Sequence, residues 1–179
     1  MTGSTGSLGW HMSEAKKEPW DSSNEKAKEL KISDFGTLDE VREMAKMPMI
    51  INSYAEAREI LGGIVDKPLT SKSGLSATIS NNSIDEILNG EASKKSFDLK
   101  VHLKAAANIE KLYLNAIEKW EFTLDPNKKN VSLRDRKYLY SPMEHNGRII
   151  PVKLTVKEFI NKKDGTRLYS IEAIDVGLG

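Results

Sequence analysis

Between residues 37 and 120 apolar residues recur at helical spacing in several segments, and after residue 126 they recur at alternate positions. Helix starts are marked by capping boxes, in which a Ser or Thr side chain and a Glu three residues later satisfy exposed amides. Proline or glycine follows each such start, so the pattern predicts three short helices. The capping boxes pair Thr37 with Glu40, Ser53 with Glu56, and Ser83 with Glu86.

Two further helical and turn signals lie between residues 67 and 120. The β-rich segment 67–80 surrounds a Ser-Lys-Ser-Gly turn, which predicts a hairpin. The longest periodic run extends from about Asp98 to Trp120, with apolar residues three and four positions apart. It predicts a single central helix. Its apolar stripe consists of Leu99, Leu103, Ala106, Ile109, Tyr113, Ala116, Ile117 and Trp120.

After Pro126 the pattern changes to a period of two, which is typical of strands. An Asn-Gly pair within His145–Gly147 indicates a tight hairpin turn. Helices followed by an antiparallel meander make an α+β protein, in which the N-terminal helices pack on a roughly four-stranded antiparallel sheet. The predicted strands are 137–141, 148–159 and 166–176, with a second turn at 162–165.

The strand 148–159 has two chemically different faces, because successive side chains of a strand point in opposite directions. Lys153, Thr155 and Lys157 share one face, and two cations beside a hydroxyl suit phosphate binding. An ordinary solvated face is the alternative. The other face is expected to cover the central helix and carries Ile150, Val152, Leu154 and Val156.

Composition limits the kind of protein and the kind of site. The chain is 39% hydrophobic and 30% charged, as in ordinary globular proteins. It has no cysteine, which excludes disulfides and thiolate zinc sites. No window is long and apolar enough for a membrane span. We expect a cytoplasmic protein. We interpret residues 1–12 as an expression tag, 13–36 as a flexible linker, 37–65 as an N-terminal helical segment and 66–179 as the main domain.

Positive charge is concentrated in one part of the chain. Residues 126–163 contain ten Lys or Arg against three Asp or Glu, although the net charge of the whole chain is +1. Such a block favours a polyanionic partner such as RNA. A solvated, lysine-rich sheet edge is the alternative.

His102 is the histidine with the most informative position. It follows Leu99 by three residues, on or beside the apolar stripe, and an imidazole can transfer a proton near neutral pH. A core histidine bonded to a neighbour is the alternative. Lys104 on the same helix and Lys72 in the exposed turn are candidate companions. No Gly-rich phosphate loop, zinc-binding HExxH or nucleophile-elbow motif occurs, so we expect no metal and no cofactor.

In chain order, several segments resemble a known family. These are ATIS from Ala77, HLKAAANIEKLYLNA from His102, GRIIPVKLTVKEF from Gly147 and RLYSIEAID from Arg167. The succession resembles the third family of large polyvalent protein-associated domains of phages and mobile elements. That family is grouped with barnase-, EndoU-, colicin- and RelE-like nucleases. The resemblance spans Asp66 to Val176 and implies a barnase- or RelE-like fold.

The resemblance implies a toxin or effector domain that cleaves RNA, with tRNA as one candidate, by attack of the 2′-hydroxyl without a metal. A monomer is expected. The resemblance also implies RNA as the substrate, an immunity or antitoxin protein as a partner, and delivery into a target cell. The alternative is a catalytically inactive nucleic-acid-binding or protein-interaction module. The expected catalytic residues are His102, Lys153, Lys157 and Glu172, with Tyr140 as another candidate for the second proton transfer. The expected substrate-binding residues are Lys72, Lys104, Thr155 and Ser170.

Overall fold

The computed structural model describes residues 30–89, 99–123 and 135–176. A 3-10 turn, Ile32–Asp34, precedes the first helix. No helix in these ranges is long and apolar enough to cross a membrane. The helices are α1 Leu38–Ala45, α2 Tyr54–Gly62, α3 Asn81–Asn89, α4 Leu99–Ala107 and α5 Ile109–Leu114. The strands are β1 Leu69–Thr70, β2 Ser76–Ala77, β3 Ile117–Thr123, β4 Asp135–His145, β5 Arg148–Ile160 and β6 Arg167–Val176.

The predicted α+β architecture is confirmed. Strands β3 to β6 form an antiparallel meander in chain order, and β1 and β2 form the predicted small hairpin. Asn146 and Gly147 both have positive φ, 53° and 77°, as the tight turn between β4 and β5 requires. Thr78 forms a parallel bridge to Ser170, so the chain leaving β2 runs along the outer edge of β6.

One face of the sheet packs against helices α2 to α5. The predicted apolar row of β5 lies in this core, together with Leu139 of β4 and Ile174 of β6. Each helix contributes apolar side chains from one face, as amphipathic helices do when they cover a sheet. The fully or almost fully buried helical residues include Ala57, Leu61, Ile84, Ile87, Leu88, Val101, Ala105, Ile109, Leu112 and Tyr113.

The opposite face of the sheet is also covered, by residues 30–45. Leu30, Ile32 and Phe35 are buried there with Tyr140 and Ile149 of the sheet. The expected flexible linker, residues 13–36, is therefore wrong for its last residues, because these side chains form a second hydrophobic cluster. Residues 13–29 lie outside the described ranges. The protein has three layers, with the sheet in the middle.

The predicted central helix is wrong beyond Leu114. The helix is interrupted at Asn108, and the chain then becomes strand β3 from Ile117, although the helix was expected to run to Trp120. The side chain of Asn108 accepts a hydrogen bond from the amide of Met49 (2.9 Å) and donates one to its carbonyl (3.0 Å). The Asn108 side chain thus joins the break in the helix to the backbone of Met49. The apolar spacing continues into the strand by coincidence.

The first capping box is confirmed in full and the second in part, because Ser53 accepts from the amide of Glu56 without the reciprocal bond. The third is misplaced. Thr37 and Glu40 satisfy each other's amides at the start of α1. Helix α3 begins at Asn81, before the expected Ser83, because the hydroxyl of Ser80 accepts the amide hydrogen of Ser83 (3.1 Å). Ser83 is thereby freed from the cap and is buried in the first turn of the helix.

Candidate functional site

His102 lies sealed in the core between α4 and α3, with 0% of its surface exposed. Its Nε2–H donates a hydrogen bond to the carbonyl of Ile87 (2.7 Å). That carbonyl belongs to the last turn of α3, where it has no partner within the helix. Burial lowers the pKa of the imidazole, so the ring is held neutral. In this position His102 provides a hydrogen-bond donor for a carbonyl at the end of α3.

The sheet stands between His102 and the lysines of β5. Leu154 and Val156 point into the helical core, in the same cluster as the residues around His102. Because side chains alternate along a strand, Lys153 and Lys157 point to the opposite face. The structure therefore does not bring the expected proton-transfer residue and the expected phosphate-binding cations together.

Lys153 and Thr155 do not lie on an open surface, contrary to the expectation of a solvated phosphate-binding row. Lys153 is 3% exposed, and its ammonium lies 4.5 Å from the centre of the Tyr138 ring and 3.8 Å from a carboxylate oxygen of Asp175. Thr155, two residues later on the same face, is 9% exposed. Burial leaves neither side chain enough surface to contact a large ligand.

Lys104 and Lys72 are placed apart from each other and from β5. The ammonium of Lys104 donates to the carbonyl of Glu144 (2.8 Å), near the turn between β4 and β5. That of Lys72 donates to the carbonyl of Phe35 (2.9 Å) and joins the small hairpin to the N-terminal segment. Both contacts join separate parts of the fold, so each lysine has a structural role.

Three expected site residues do converge, at the edge of the sheet beside the start of α3. Lys157 of β5 lies directly opposite Ser170 of β6, and its ammonium is 4.0 Å from Oε1 of Glu172. Oε2 of Glu172 accepts hydrogen bonds from the hydroxyls of Ser170 (2.5 Å) and Ser83 (2.6 Å). The Lys157 and Glu172 side chains are 30% and 17% exposed. We call this group, with Ser80, the sheet-edge cluster.

Two local features of the backbone position the Glu172 carboxylate. The register between β5 and β6 shifts by one residue, so that Thr155 faces Ala173, Val156 faces Ile171, and Glu172 has no opposite residue. Such bulges redirect a side chain at a sheet edge. The carboxylate consequently reaches the first turn of α3, where the positive end of the helix dipole favours a negative charge.

A hydroxyl chain orients the same carboxylate. The hydroxyls of Ser80 and Ser83 are 2.8 Å apart, and Ser83 donates to Glu172. Ser80 therefore supplies the hydrogen of the bond between the two serines. One oxygen of Glu172 is thus held by hydroxyl groups, and the other lies toward Lys157.

Arg136 adds a second cation that sequence reasoning missed. It lies on β4 directly opposite Lys157, so the two side chains share a face of the sheet. Its Nε is buried and has no hydrogen-bond partner among the described residues. Like charges directly opposite each other on a sheet are destabilising unless an anion lies between or beside them. Glu172 lies beside Lys157, and the two cations together suit a bound anion such as phosphate.

Sequence reasoning also missed Ser80 and Ser83 as site residues. Ser83 was interpreted only as a helix cap, and nothing in the spacing of α3 and β6 indicates that they meet. Across the described ranges, no three His, Asp or Glu side chains come together in a group that could hold a metal ion. The arrangement can accept a proton at Glu172 and bind an anion at Lys157 and Arg136.

Comparison with known proteins gives one match. The sequence model of large polyvalent protein-associated domain 3 matches residues 52–169. No curated protein and no solved structure matches the chain. The matched range contains α2 to β5 and the first part of β6, so it includes Arg136, Lys157, Ser80 and Ser83 but ends before Ser170 and Glu172.

Proposed function

Since the chain belongs to the large polyvalent protein-associated domain 3 family, we propose that it binds RNA and cleaves it without a metal at the sheet-edge cluster. One observation carries the proposal. The carboxylate of Glu172 has one oxygen held by two hydroxyls and the other 4.0 Å from the ammonium of Lys157, in a partly exposed position. A proton acceptor next to a cation is the pair of groups that cleavage by a 2′-hydroxyl requires.

In the proposed step the 2′-oxygen of a ribose attacks the adjacent phosphorus and the bond to the 5′-oxygen breaks. Glu172 takes the proton of the 2′-hydroxyl through Oε1. Lys157 and Arg136 stabilise the negative charge that builds on the phosphate oxygens, the contribution that is usually largest. The leaving 5′-oxygen takes a proton from water, and the product is a 2′,3′-cyclic phosphate.

His102 has no part in this step, because it is buried on the other side of the sheet. Its earlier assignment to proton transfer passes to Glu172. Lys153 also contributes no direct phosphate contact, since it is buried beside Tyr138 and Asp175. The proposed reaction depends on Glu172, Lys157 and Arg136, with Ser83 and Ser170 as positioning residues.

The test is incubation of the purified protein with total RNA, with and without a chelator, followed by gel analysis. Cleavage that persists with the chelator is expected. Glu172→Gln should lower the rate by about 10²-fold or more, because the amide cannot accept the proton. Glu59→Gln, which changes an exposed Glu on α2, is the matched control and should cleave as the parent does. Equal rates for Glu172→Gln and the parent would refute the assignment of Glu172.

A second candidate function rests on the paired cations alone. Arg136 and Lys157 can bind a phosphate backbone without any cleavage, and the chain is then a nucleic-acid-binding module. In that case RNA stays intact, while Lys157→Ala weakens RNA binding and reduces its dependence on salt. Lys67→Ala, at an exposed position in the loop between α2 and β1, is the control. It should leave RNA affinity and its dependence on salt unchanged.

A further inference from the structure

The β5–β6 hairpin carries an apolar pair, exposed Leu168 and half-buried Phe159, next to the sheet-edge cluster. Phe159 lies directly opposite Leu168, just as Lys157 lies directly opposite Ser170. We propose that Phe159 and Leu168 form a subsite on which an unpaired base of RNA stacks while its phosphate is bound at Lys157 and Arg136. This inference rests on the RNA binding proposed above and names its substrate class, single-stranded RNA.

The geometry of the sheet sets the subsite beside the phosphate-binding cations. Residues two apart on a strand share a face and are about 6.6–6.8 Å apart. Phe159 therefore lies on the same face as Lys157, one such step toward the tip of the hairpin. A nucleotide can span that distance between its base and its phosphate.

The exposure of the pair is unusual for its chemistry. Leu168 is 50% exposed and Phe159 is half-buried, so both present apolar surface to solvent. Single exposed apolar residues are common, but an aromatic ring with an apolar neighbour beside clustered cations is typical of surfaces that bind single strands. From residue 157 to residue 170 the hairpin has four Lys or Arg against two Asp or Glu, which favours an anionic ligand.

Cross-strand contacts order the hairpin, and order that is present before binding lowers the entropy cost of binding. On its other face the hydroxyl of Tyr169 donates to Glu158 (3.2 Å), and Arg167 pairs with the same carboxylate (3.5 Å). At the tip the amide of Asn161 donates to the carbonyl of Thr166 (2.8 Å). These contacts hold the two strands together behind the face that carries Phe159.

Single-stranded RNA is the form that such a subsite selects. In a duplex the bases are already stacked on each other and unavailable to a side chain, whereas unpaired bases stack readily on aromatic rings. The proposal therefore predicts that affinity contributed by Phe159 is seen with single strands and absent with duplexes of the same sequence.

The experiment measures binding of a fluorescent single-stranded RNA by anisotropy, in the Glu172→Gln background so that the probe stays intact. Phe159→Ala is expected to weaken binding about 5- to 150-fold, the range for loss of one stacked base. Phe159→Leu keeps apolar packing in the hairpin but removes the ring, and should weaken binding as well. Phe159→Trp should retain it.

The control is Ile160→Ala, at the next position on the same strand and on the opposite face, 37% exposed, where binding within twofold of the parent is expected. A duplex of the same sequence should bind Phe159→Ala and the parent alike. If Phe159→Ala and Phe159→Leu bind single strands as the parent does, the subsite is refuted, whether or not Glu172 acts in cleavage. The pair is then better explained as a contact for a protein.

The two proposals fail separately. If intact RNA survives incubation with the protein but Phe159→Ala loses affinity for single strands, cleavage is refuted and the subsite stands. If the parent cleaves RNA, and Phe159→Ala binds single strands with the same affinity as the parent, the subsite is refuted and cleavage stands. A parent protein that binds no single-stranded RNA at all overturns the subsite directly.

Discussion

At the residue scale, burial separates the candidate histidine and the two candidate lysines of β5 into different roles. His102 is sealed between two helices and satisfies the carbonyl of Ile87. Lys153 is buried beside Tyr138, while Lys157, four residues later on the same strand, is 30% exposed next to Glu172. Only the last of these can meet a large ligand, because a polymer such as RNA contacts the surface.

His102 makes the stability of the protein depend on pH. Its pKa in the folded protein is lowered by burial from an ordinary value of about 6.5, so below that pH the unfolded chain binds a proton that the folded protein does not. The unfolding free energy should therefore fall as the pH drops below about 6.5, by at most about 1.4 kcal/mol per pH unit from this group. Urea unfolding between pH 8 and pH 5 measures it.

The matched variant is His102→Gln, which cannot titrate in this range. It should lose the part of the pH dependence that lies between pH 5 and pH 6.5, while the dependence caused by carboxylates at lower pH remains. The variant should also be less stable than the parent at pH 8, since the Ile87 carbonyl is left with a poorer partner. Identical slopes in the two proteins between pH 5 and pH 6.5 would show that the imidazole is not held neutral.

At the element scale, the break between α4 and α5 decides which residues of the periodic run are buried. Leu99 is 61% exposed and Leu103 is only half-buried, although both lie on the expected apolar stripe. Val101 and Ala105 are buried instead. The helix is thus rotated relative to the predicted stripe, because its two halves are separated at Asn108 and need not share one continuous face.

The rotation predicts different costs for two substitutions of similar size. Ile109→Ala should lower the unfolding free energy by about 2–4 kcal/mol, because Ile109 is fully buried at the start of α5. Leu103→Ala should cost less than about 1.5 kcal/mol, since Leu103 lines an open cleft with Ile51 and Lys100. Denaturant unfolding of both variants is the measurement. Equal losses would mean that α4 presents Leu103 to the core as strongly as α5 presents Ile109.

At the scale of the whole molecule, the sheet is covered on both faces and the first residues of the fold are structural. Residues 30–45 bury Leu30, Phe35 and Val41 against Tyr140 and Ile149, far along the chain. Lys111 reinforces this layer, since its ammonium donates to backbone carbonyls that flank the end of α1. The protein should therefore unfold as one cooperative unit that includes this segment.

Phe35 tests whether the N-terminal layer belongs to the folded unit. Phe35→Ala should lower the unfolding free energy by about 3–5 kcal/mol, the usual cost of removing a buried phenyl ring. Met49→Ala, at a side chain that is 40% exposed, is the control and should cost less than about 1 kcal/mol. Thermal unfolding that is unchanged by Phe35→Ala would restore the interpretation of residues 30–36 as a linker.

The sequence by itself determined the elements whose signals are local. The Asn146-Gly147 turn, the strands around it, the first two helix starts and the α+β order follow from capping residues, turn residues and the alternation of side chains. These signals act between residues close in the chain, so they can be read without the fold. The family resemblance could also be recognised, because it rests on sequence segments and on their order along the chain.

The tertiary structure alone decided which of the candidate residues form a site. Sequence alternation correctly placed Lys153 and Lys157 on one face, but Lys153 is buried beside Tyr138 of β4 and Asp175 of β6, whose positions depend on the pairing of the strands. The meeting of Ser83, Lys157 and Glu172 depends on a bulge in β6 and on the docking of α3 at its edge. Burial and convergence depend on contacts between distant segments, and a pattern along the chain records spacing without recording which segments meet.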